Sequence, residues 1–382
     1  MQAYDVIVVG LGAIGGASAY HAARRGARVL ALDANHAGHA IGSSHGATRA
    51  TRTAYFEAPD YVPLVQRAHD HWQALGEGTG QTLLTMSGAL YLGPPGNALT
   101  SGVVRAAREH GLAHDVFDST AAAHRFPGFA VPEGWETVWE AGGGILRAEA
   151  CVKAHVDLAR RHGADLRYST PATAWRRDGD GVVLTTADGT YRASAMILAP
   201  GPWAPQALGD LDLPLSIRRI VVTHFDVIDP RLYPASDLSV FFWMTPDGVF
   251  AGFPHLEDEG IKVMRHDRGA GGTPETIERG ITCAETDEVA RFLAKHMPSA
   301  NGRLRAAETC LYTMTPDNHF IIDRHPAIPG LVYGCGFCGH GFKFAPVIGE
   351  ALADLALEKK TRLPIDFLSA HRFARDDVRV GE

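Results

Sequence analysis

YDVIVVGLGAIGG, residues 4–16, is the stretch on which the fold turns. Residues 4–10 are a short apolar, β-branched run, the pattern of a strand buried on both faces of a parallel sheet. The next residues have the spacing GxGxxG, with Gly10, Gly12 and Gly15, and lead into a helical stretch, 13–25. That stretch carries Ala17, Tyr20 and Ala23 at helical spacing and closes at Gly26. A second apolar run, 27–33, ends on Asp33, so the order is strand, glycine turn, helix, strand: a βαβ unit. In such a unit Gly10 makes the tight turn, Gly12 lets backbone approach a pyrophosphate, and Gly15 lets the helix pack on the strand. The helix N-terminus faces the phosphates with its partial positive charge. Asp33 stands where a carboxylate accepts from ribose hydroxyls. This predicts a dinucleotide site and does not by itself separate FAD from NAD.

Working outward, residues 34–49 are polar and glycine-rich and read as a loop. Residues 60–75 read as an amphipathic helix with Asp60 as its N-cap. The middle changes character. Strand-like runs lie at 88–93, 144–148, 181–193, 195–201, 217–227, 248–254 and 261–266, with ADGT as a hairpin turn inside the third. A helix over 285–297 interrupts them. The pattern then returns to α/β, with strands at 320–323 and 331–336 and a helix from about 342 to 357. The expected class is α/β plus α+β: a Rossmann-type nucleotide domain with an inserted, mainly antiparallel β-sheet catalytic domain. The nucleotide domain takes about 1–84, 147–216 and 318–382, and the inserted domain about 85–146 and 217–317.

The 382 residues suit two or three domains, and 46% apolar residues suit a large core. Lys+Arg number 36 against 43 Asp+Glu, a net charge of −7 with no basic block, which argues against a nucleic-acid partner. No apolar run approaches the roughly 20 residues that span a bilayer, so no membrane partner is expected. With neither a basic n-region nor a cleavage site before the first strand, no secretory signal is expected, and RVGE does not read as a peroxisomal address. Five scattered cysteines fit a reducing, cytoplasmic setting.

Four segments carry candidate chemistry. Arg49 and Arg52, three apart, can share one face of a turn or helix, and arginine grips carboxylates bidentately; two solvated surface arginines read as well. In 261–266, strand alternation puts Lys262, Met264 and His266 on one face, lining either a polar pocket or solvent. The same alternation pairs Cys310 with Tyr312, where a buried cysteine is ordinarily a small hydrophobe. The last segment is GCGFCGHGFKF, residues 334–344. Its Cys335-x-x-Cys338 lacks the second ligand pair that zinc needs, and no metal is expected. A thioredoxin-like helix would begin at once after the cysteines, whereas this one becomes regular only after Gly341. Gly336, Gly339 and Gly341 read instead as letting backbone approach a flat ligand. Lys343 in the following helix's first turn is unfavourable for the dipole unless an anion lies beyond. A flavin, negative near N1 when reduced, is such a ligand.

Taken in order, VIVVGLGAIGG, GSSHGATRATRTAY, GIKVMRH, TCLYTMTPDNHFIID and GFCGHGFKF resemble the monomeric sarcosine oxidase and N-methyltryptophan oxidase group of flavoprotein amine oxidases, over nearly the whole chain. The resemblance implies FAD attached covalently through a thioether at Cys310. It implies Arg52 and Lys343 as the pair that binds a substrate carboxylate, Tyr312 and His266 as cavity-lining residues, and Arg49 beside the flavin. Lys262 matches the lysine that helps reduced flavin react with O₂. Ser43, Thr48, Gly339, His340 and Gly341 fall among the cofactor contacts. The implied enzyme is a monomer that oxidises a secondary amino acid, such as an N-methyl amino acid, to an imine and reduces O₂ to H₂O₂. A dehydrogenase with another acceptor, an oxidase of cyclic or glycated amino acids, and, with GxGxxG read alone, an NAD-dependent dehydrogenase are the other readings. The chain departs from the family pattern at Ser44 and Ala47, at Cys338, and at Phe242 and Ala251, where the family tends to carry methionine and tyrosine.

Overall fold

The computed structural model describes residues 2–233, 240–256 and 259–373; the C-terminal RVGE lies outside them. The opening run forms the strand Gln2–Val9 in an eight-stranded sheet. It pairs in parallel with Val29–Leu32 on one side and Gly189–Leu198 on the other. Asp165–Arg167 extends the sheet in parallel beyond Val29–Leu32. Val6, Ile7 and Val8 are fully buried, as a strand covered on both faces requires. The helix Ala13–Arg24 follows the glycine turn and stops before Gly26, whose φ is +83°.

Two expected strands, 181–193 and 195–201, become the hairpin arm Gly181–Thr186 and one long strand, Gly189–Leu198. No turn former separates Arg192 from Ala195, so the extended chain runs on. The early part of the long strand pairs antiparallel with Gly181–Thr186 and the later part pairs in parallel with Leu331–Cys335. The expected helix at 60–75 starts differently. A 3₁₀ turn, Pro59–Tyr61, leads into Val62–Thr79 and Asp60 makes no cap bond. Helices Ala98–Glu109 and Ala148–Arg161 were not anticipated; Asn97 caps the first by accepting from the Thr100 N–H at 3.0 Å.

The second sheet has nine strands. Ser216–Phe225 pairs with both Ile261–Arg265 and Leu304–Met314, and Gly248–Gly252 and Val240–Thr245 continue beyond Ile261–Arg265. All these pairings are antiparallel; Val240–Thr245 then joins Ala89–Gly93 in parallel. One face packs on the helix Cys283–His296, with Phe250 and Phe292 stacked at 4.1 Å. The other face looks into a cavity. A three-stranded sheet of Thr48–Thr51, Gly144–Arg147 and Leu84–Met86 links the layers. Among the described residues no helix is long and apolar enough to cross a membrane.

Four buried histidines have a consequence for stability. Burial holds His155 and His340 down to about 3, His296 to about 4, and His21 well below the usual value. The unfolded chain protonates each near 6.5, so below that pH unfolding takes up protons. Stability is therefore full above about pH 6.5 and is lost as pH falls toward 3–4, by up to about 1.4 kcal/mol per pH unit for each group. The thermal midpoint is expected to drop by roughly 10 °C or more between pH 7 and pH 5, read by circular dichroism. A flat profile over that interval contradicts the assignment.

Candidate active site

A single cavity of about 1100 Å³ runs from Gly10, Gly12 and Asp33 to Arg52 and Lys343. At its nucleotide end the glycines are steric requirements. Gly10 has φ +95°, and a Cβ there would stand 2.3 Å from the Ala199 oxygen; one on Gly15 would stand 1.7 Å from the Gly10 oxygen. Gly15 packs beneath the turn, whereas Gly12 borders the cavity. Ser44, a departure from the resemblance, accepts from the Ala13 N–H at 3.0 Å and so caps the helix from a neighbouring loop. The Asp33 carboxylate accepts from the Leu11 and Asn35 N–H groups, each at 2.8 Å. Burial alone would raise its pKa; the bonds from His39, Leu11 and Asn35 outweigh it and hold the group ionised. The glycine cradle, the ionised acid and a cavity this long fit an adenine dinucleotide.

Midway along the cavity, Arg49 lies in the strand Thr48–Thr51 and Arg52 just past its end, so they do not share a turn or helix face as expected. The Arg49 guanidinium donates to the carbonyls of Thr48 (2.8 Å), Ser43 (3.3 Å) and His45 (2.5 Å). Its Nη2 stands 3.9 Å from Cys310 Sγ. Ser43 Oγ donates to the Leu311 carbonyl at 2.6 Å and stitches this loop to the strand that carries Cys310 and Tyr312. Cys310 and Tyr312 both face the cavity, as alternation predicts. So do Lys262, Met264 and His266. Thr48 is outside the lining; its carbonyl and hydroxyl accept from Lys262 Nζ at 3.1 and 3.4 Å. Its place is behind the lysine. Burial, then the Arg49 cation, lowers Lys262 to about 8.

At the far end Arg52 is buried and lies over the rings of Tyr55 (3.9 Å) and Phe56 (4.4 Å). Its Nη2 pairs with Glu57, which was not anticipated. Burial would raise Glu57, but the Arg52 charge holds it down to about 2. Arg52 Nη1 and Glu57 Oε2 are buried without partners. Lys343 donates to the His340 carbonyl at 2.7 Å and contacts Tyr55 Oη at 3.4 Å; burial, then Arg52, pushes its pKa well down. Both His340 ring nitrogens are engaged: Nε2 donates to the Asn318 carbonyl at 3.0 Å and Nδ1 accepts from Tyr55 Oη at 2.6 Å. His340 thus holds Lys343 and Tyr55 in place. Glu140, also unanticipated, accepts from Tyr91 Oη (2.5 Å) and the Thr53 and Ala54 N–H groups (3.2 and 2.7 Å), pinning the chain just after Arg52.

His266 Nδ1 and Tyr312 Oη are 3.1 Å apart. Burial, with Arg52 and Lys343 acting against the pull of Glu57, takes His266 to about 4. The glycines of 334–344 divide between two settings. A Cβ on Gly336, Gly339 or Gly341 would strike Thr315, Tyr312 or Phe337 at 2.6, 2.3 and 2.5 Å. They seat protein side chains, and Gly336 does not border the cavity while Gly339 and Gly341 do. Cys335 and Cys338 are free and buried, with Cys338 Sγ taken up by Thr315 Oγ1 at 3.2 Å. Phe242 and Ala251 form part of the wall.

Residues 5–355 match the family model described as FAD dependent oxidoreductase. The chain is 40% identical to a monomeric sarcosine oxidase of Streptomyces avermitilis over 97% of this chain and 98% of that protein. It is 35% identical to an N-methyl-L-tryptophan oxidase of Salmonella arizonae over 97% and 100%. Among solved structures, NikD, described as an unusual amino acid oxidase essential for nikkomycin biosynthesis, superposes with a TM-score of 0.85 at 27% identity, covering 97% of this chain and 98% of that one. The family requires FAD, and that leaves no place for the NAD reading. With its glycine cradle, its two-sheet architecture and these relatives, the chain belongs to the FAD-dependent oxidoreductases, in the group of the monomeric sarcosine and N-methyltryptophan oxidases.

Proposed function

We propose that this chain is an oxidase of secondary amino acids, of the N-methyl amino acid kind, that uses O₂ and forms H₂O₂. The carrying observation is the buried guanidinium of Arg52, with one unpartnered nitrogen, beside Lys343 at one end of the cavity whose other end is a dinucleotide cradle. When bound, FAD would supply the acceptor for the hydride equivalent, two electrons and a proton, lost from the carbon next to the amine as C–N becomes C=N, and would pass the electrons to O₂. Gly10, Gly12, Asp33, Arg49 and Cys310 would hold it.

The residues of the chain do the rest. Arg52 and Lys343 receive the substrate carboxylate, and Glu57 gives up Arg52 as it arrives, so one carboxylate replaces another on the same cation. Fixing the carboxylate orients the C–N bond and converts an encounter into a positioned reaction. The nearby cations disfavour an ammonium and so favour the neutral amine that oxidation needs. His266 stays neutral above about pH 4 and, with Tyr312, offers uncharged hydrogen-bonding partners to that amine. Lys262 provides the fixed positive charge for the oxygen half-reaction. The imine leaves and hydrolyses in water, or remains cyclic if the substrate is a ring.

In this reading segments 1–84, 147–216 and 318–382 form the FAD domain and segments 85–146 and 217–317 the catalytic one. The protein works as a monomer, and its free cysteines suit a reducing, cytoplasmic setting. The test is a peroxide assay of purified enzyme against a panel of secondary amino acids. No peroxide from any member, with the flavin bound, sinks the oxidase reading; dye reduction without peroxide points to another acceptor.

Cys310 is the proposed attachment point. Its thiol faces the cavity, and its contacts are long: 3.9 Å to Arg49 Nη2, 3.9 Å to the Leu311 carbonyl and 4.0 Å to the Ser43 carbonyl. Cys310→Ala is expected to abolish covalent attachment, so that acid precipitation releases all flavin to the supernatant. Colour that stays with the precipitate would put the link elsewhere.

A further inference from the structure

The cavity-facing side of the nine-stranded sheet is a grid, and Ala251 sits at a gap in it. Register places Phe242 beside Ala251 on one neighbouring strand and Met264 on the other. Alternation along its own strand places Val249 and Phe253 on the same face. All five line the cavity, and each of the four neighbours is larger than alanine. The missing side-chain volume is a dimple in the cavity floor, and its neighbours within the sheet, Phe242, Val249, Phe253 and Met264, are all apolar.

Its position relative to the charged groups is fixed by measured contacts. The Arg52 guanidinium lies 5.6 Å from the centre of the Phe242 ring, so the carboxylate anchor is one ring away from the dimple. On the opposite side, the His266 N–H donates to the Val249 carbonyl at 2.8 Å, which puts His266 at the next position along. Lys262 caps the remaining edge, with Nζ 4.8 Å from the Phe253 ring. A molecule held at Arg52 by its carboxylate therefore meets an apolar recess on its way to His266. A polar substituent entering it would lose water and find no hydrogen-bonding side chain among Phe242, Val249, Phe253 and Met264.

Resting on the reading that Arg52 and Lys343 bind a substrate carboxylate, we infer that the recess at Ala251 is a specificity pocket for an apolar alkyl or aryl substituent. The preferred substrates are then carboxylated amines bulkier than N-methylglycine. Phe242 is stacked on Tyr91 at 5.4 Å and 14°, a contact it would lose by swinging in to fill the recess itself.

The test uses two acids that have no oxidisable C–N bond, acetate and phenylacetate, titrated into the holoenzyme while its visible absorption is followed. The readout is binding and is independent of turnover. Phenylacetate is expected to bind about 10- to 200-fold more tightly than acetate, the range that a filled apolar pocket gives. Ala251→Leu is expected to bring the two within about threefold, because its side chain occupies the recess. Retained thermal midpoint and visible spectrum verify that the variant is folded; Ala251→Val, a smaller intrusion, serves if the leucine variant is not. Equal binding of the two acids by the unaltered enzyme overturns the pocket while leaving the carboxylate anchor in place. A preference that survives in the variant overturns its location at Ala251. Binding of neither acid overturns the anchor, and with it this inference.

Discussion

Lys262→Met is expected to slow re-oxidation of the substrate-reduced enzyme by O₂ about 10²–10³-fold while changing anaerobic reduction by substrate less than about threefold. The magnitude is that of one preorganised charge in a site closed to water, roughly 3–4 kcal/mol. The geometry supports the separation of the two half-reactions. Lys262 is buried and anchored by the Thr48 carbonyl and hydroxyl, on a strand of the nine-stranded sheet, whereas the proposed carboxylate anchor is Arg52 with Lys343. Arg49 cannot move in to substitute, because its guanidinium is tied to three backbone carbonyls. Methionine approximates the apolar stem of lysine, lacking only the terminal ammonium position, and keeps the apolar packing, so the loss reports the charge. The pH dependence carries a sign. With Lys262 lowered to about 8, the cation is present below that pH and lost above it. Re-oxidation should therefore decline as pH rises through about 8 in the unaltered enzyme and lose that step in Lys262→Met. Stopped-flow mixing of reduced enzyme with O₂ measures both. An unchanged rate constant removes Lys262 from the oxygen reaction.

The second large effect concerns the anchor. Arg52→Gln is expected to lower kcat/KM about 10²–10³-fold, in line with the roughly 2–5 kcal/mol for truncating one member of a buried, hydrogen-bonded charge pair. Two features of the site shape that number. Glu57, held ionised chiefly by Arg52, would be left largely buried with only the weaker pull of Lys343, and its pKa would rise. Lys343, whose pKa Arg52 helps to depress, would recover charge and retain part of the anchor. The loss should accordingly exceed tenfold and fall short of complete inactivity. Glu57→Gln is the converse variant. It removes the internal carboxylate that competes for Arg52 and should tighten acetate binding several-fold, in the same titration that reads the loss in Arg52→Gln. Peroxide kinetics within threefold of the unaltered enzyme for Arg52→Gln would end the assignment of Arg52 as anchor.

Much of this protein was legible before any coordinates. The βαβ opening is a local matter: glycine spacing, a β-branched run and an acid at the strand end are constraints among residues that are close in sequence. Strand alternation likewise brought Lys262 and His266, and Cys310 and Tyr312, to one side. Local pattern failed where two elements competed for one stretch. The alanine-rich helices Ala98–Glu109 and Ala148–Arg161 went unread, and the single strand Gly189–Leu198 was split, because its pairing partners lie far away. Of the glycines in 334–344 read as clearance for a ligand, Gly336 seats Thr315 away from the cavity, while Gly339 and Gly341 border it and also back onto Tyr312 and Phe337.

The sequence by itself thus determined the nucleotide cradle, the broad architecture and the kinds of side chain available for chemistry. Only tertiary structure decided their states. It put Glu57 on Arg52, set Thr48 behind Lys262 across 214 positions, and joined Tyr55 to His340 across 285. It also left Ala251 as a hollow between Phe242 and Met264. The physical reason is range: backbone geometry and residue spacing act over a few positions, whereas charge, proton affinity and cavity shape depend on burial and on partners that only the folded chain brings together.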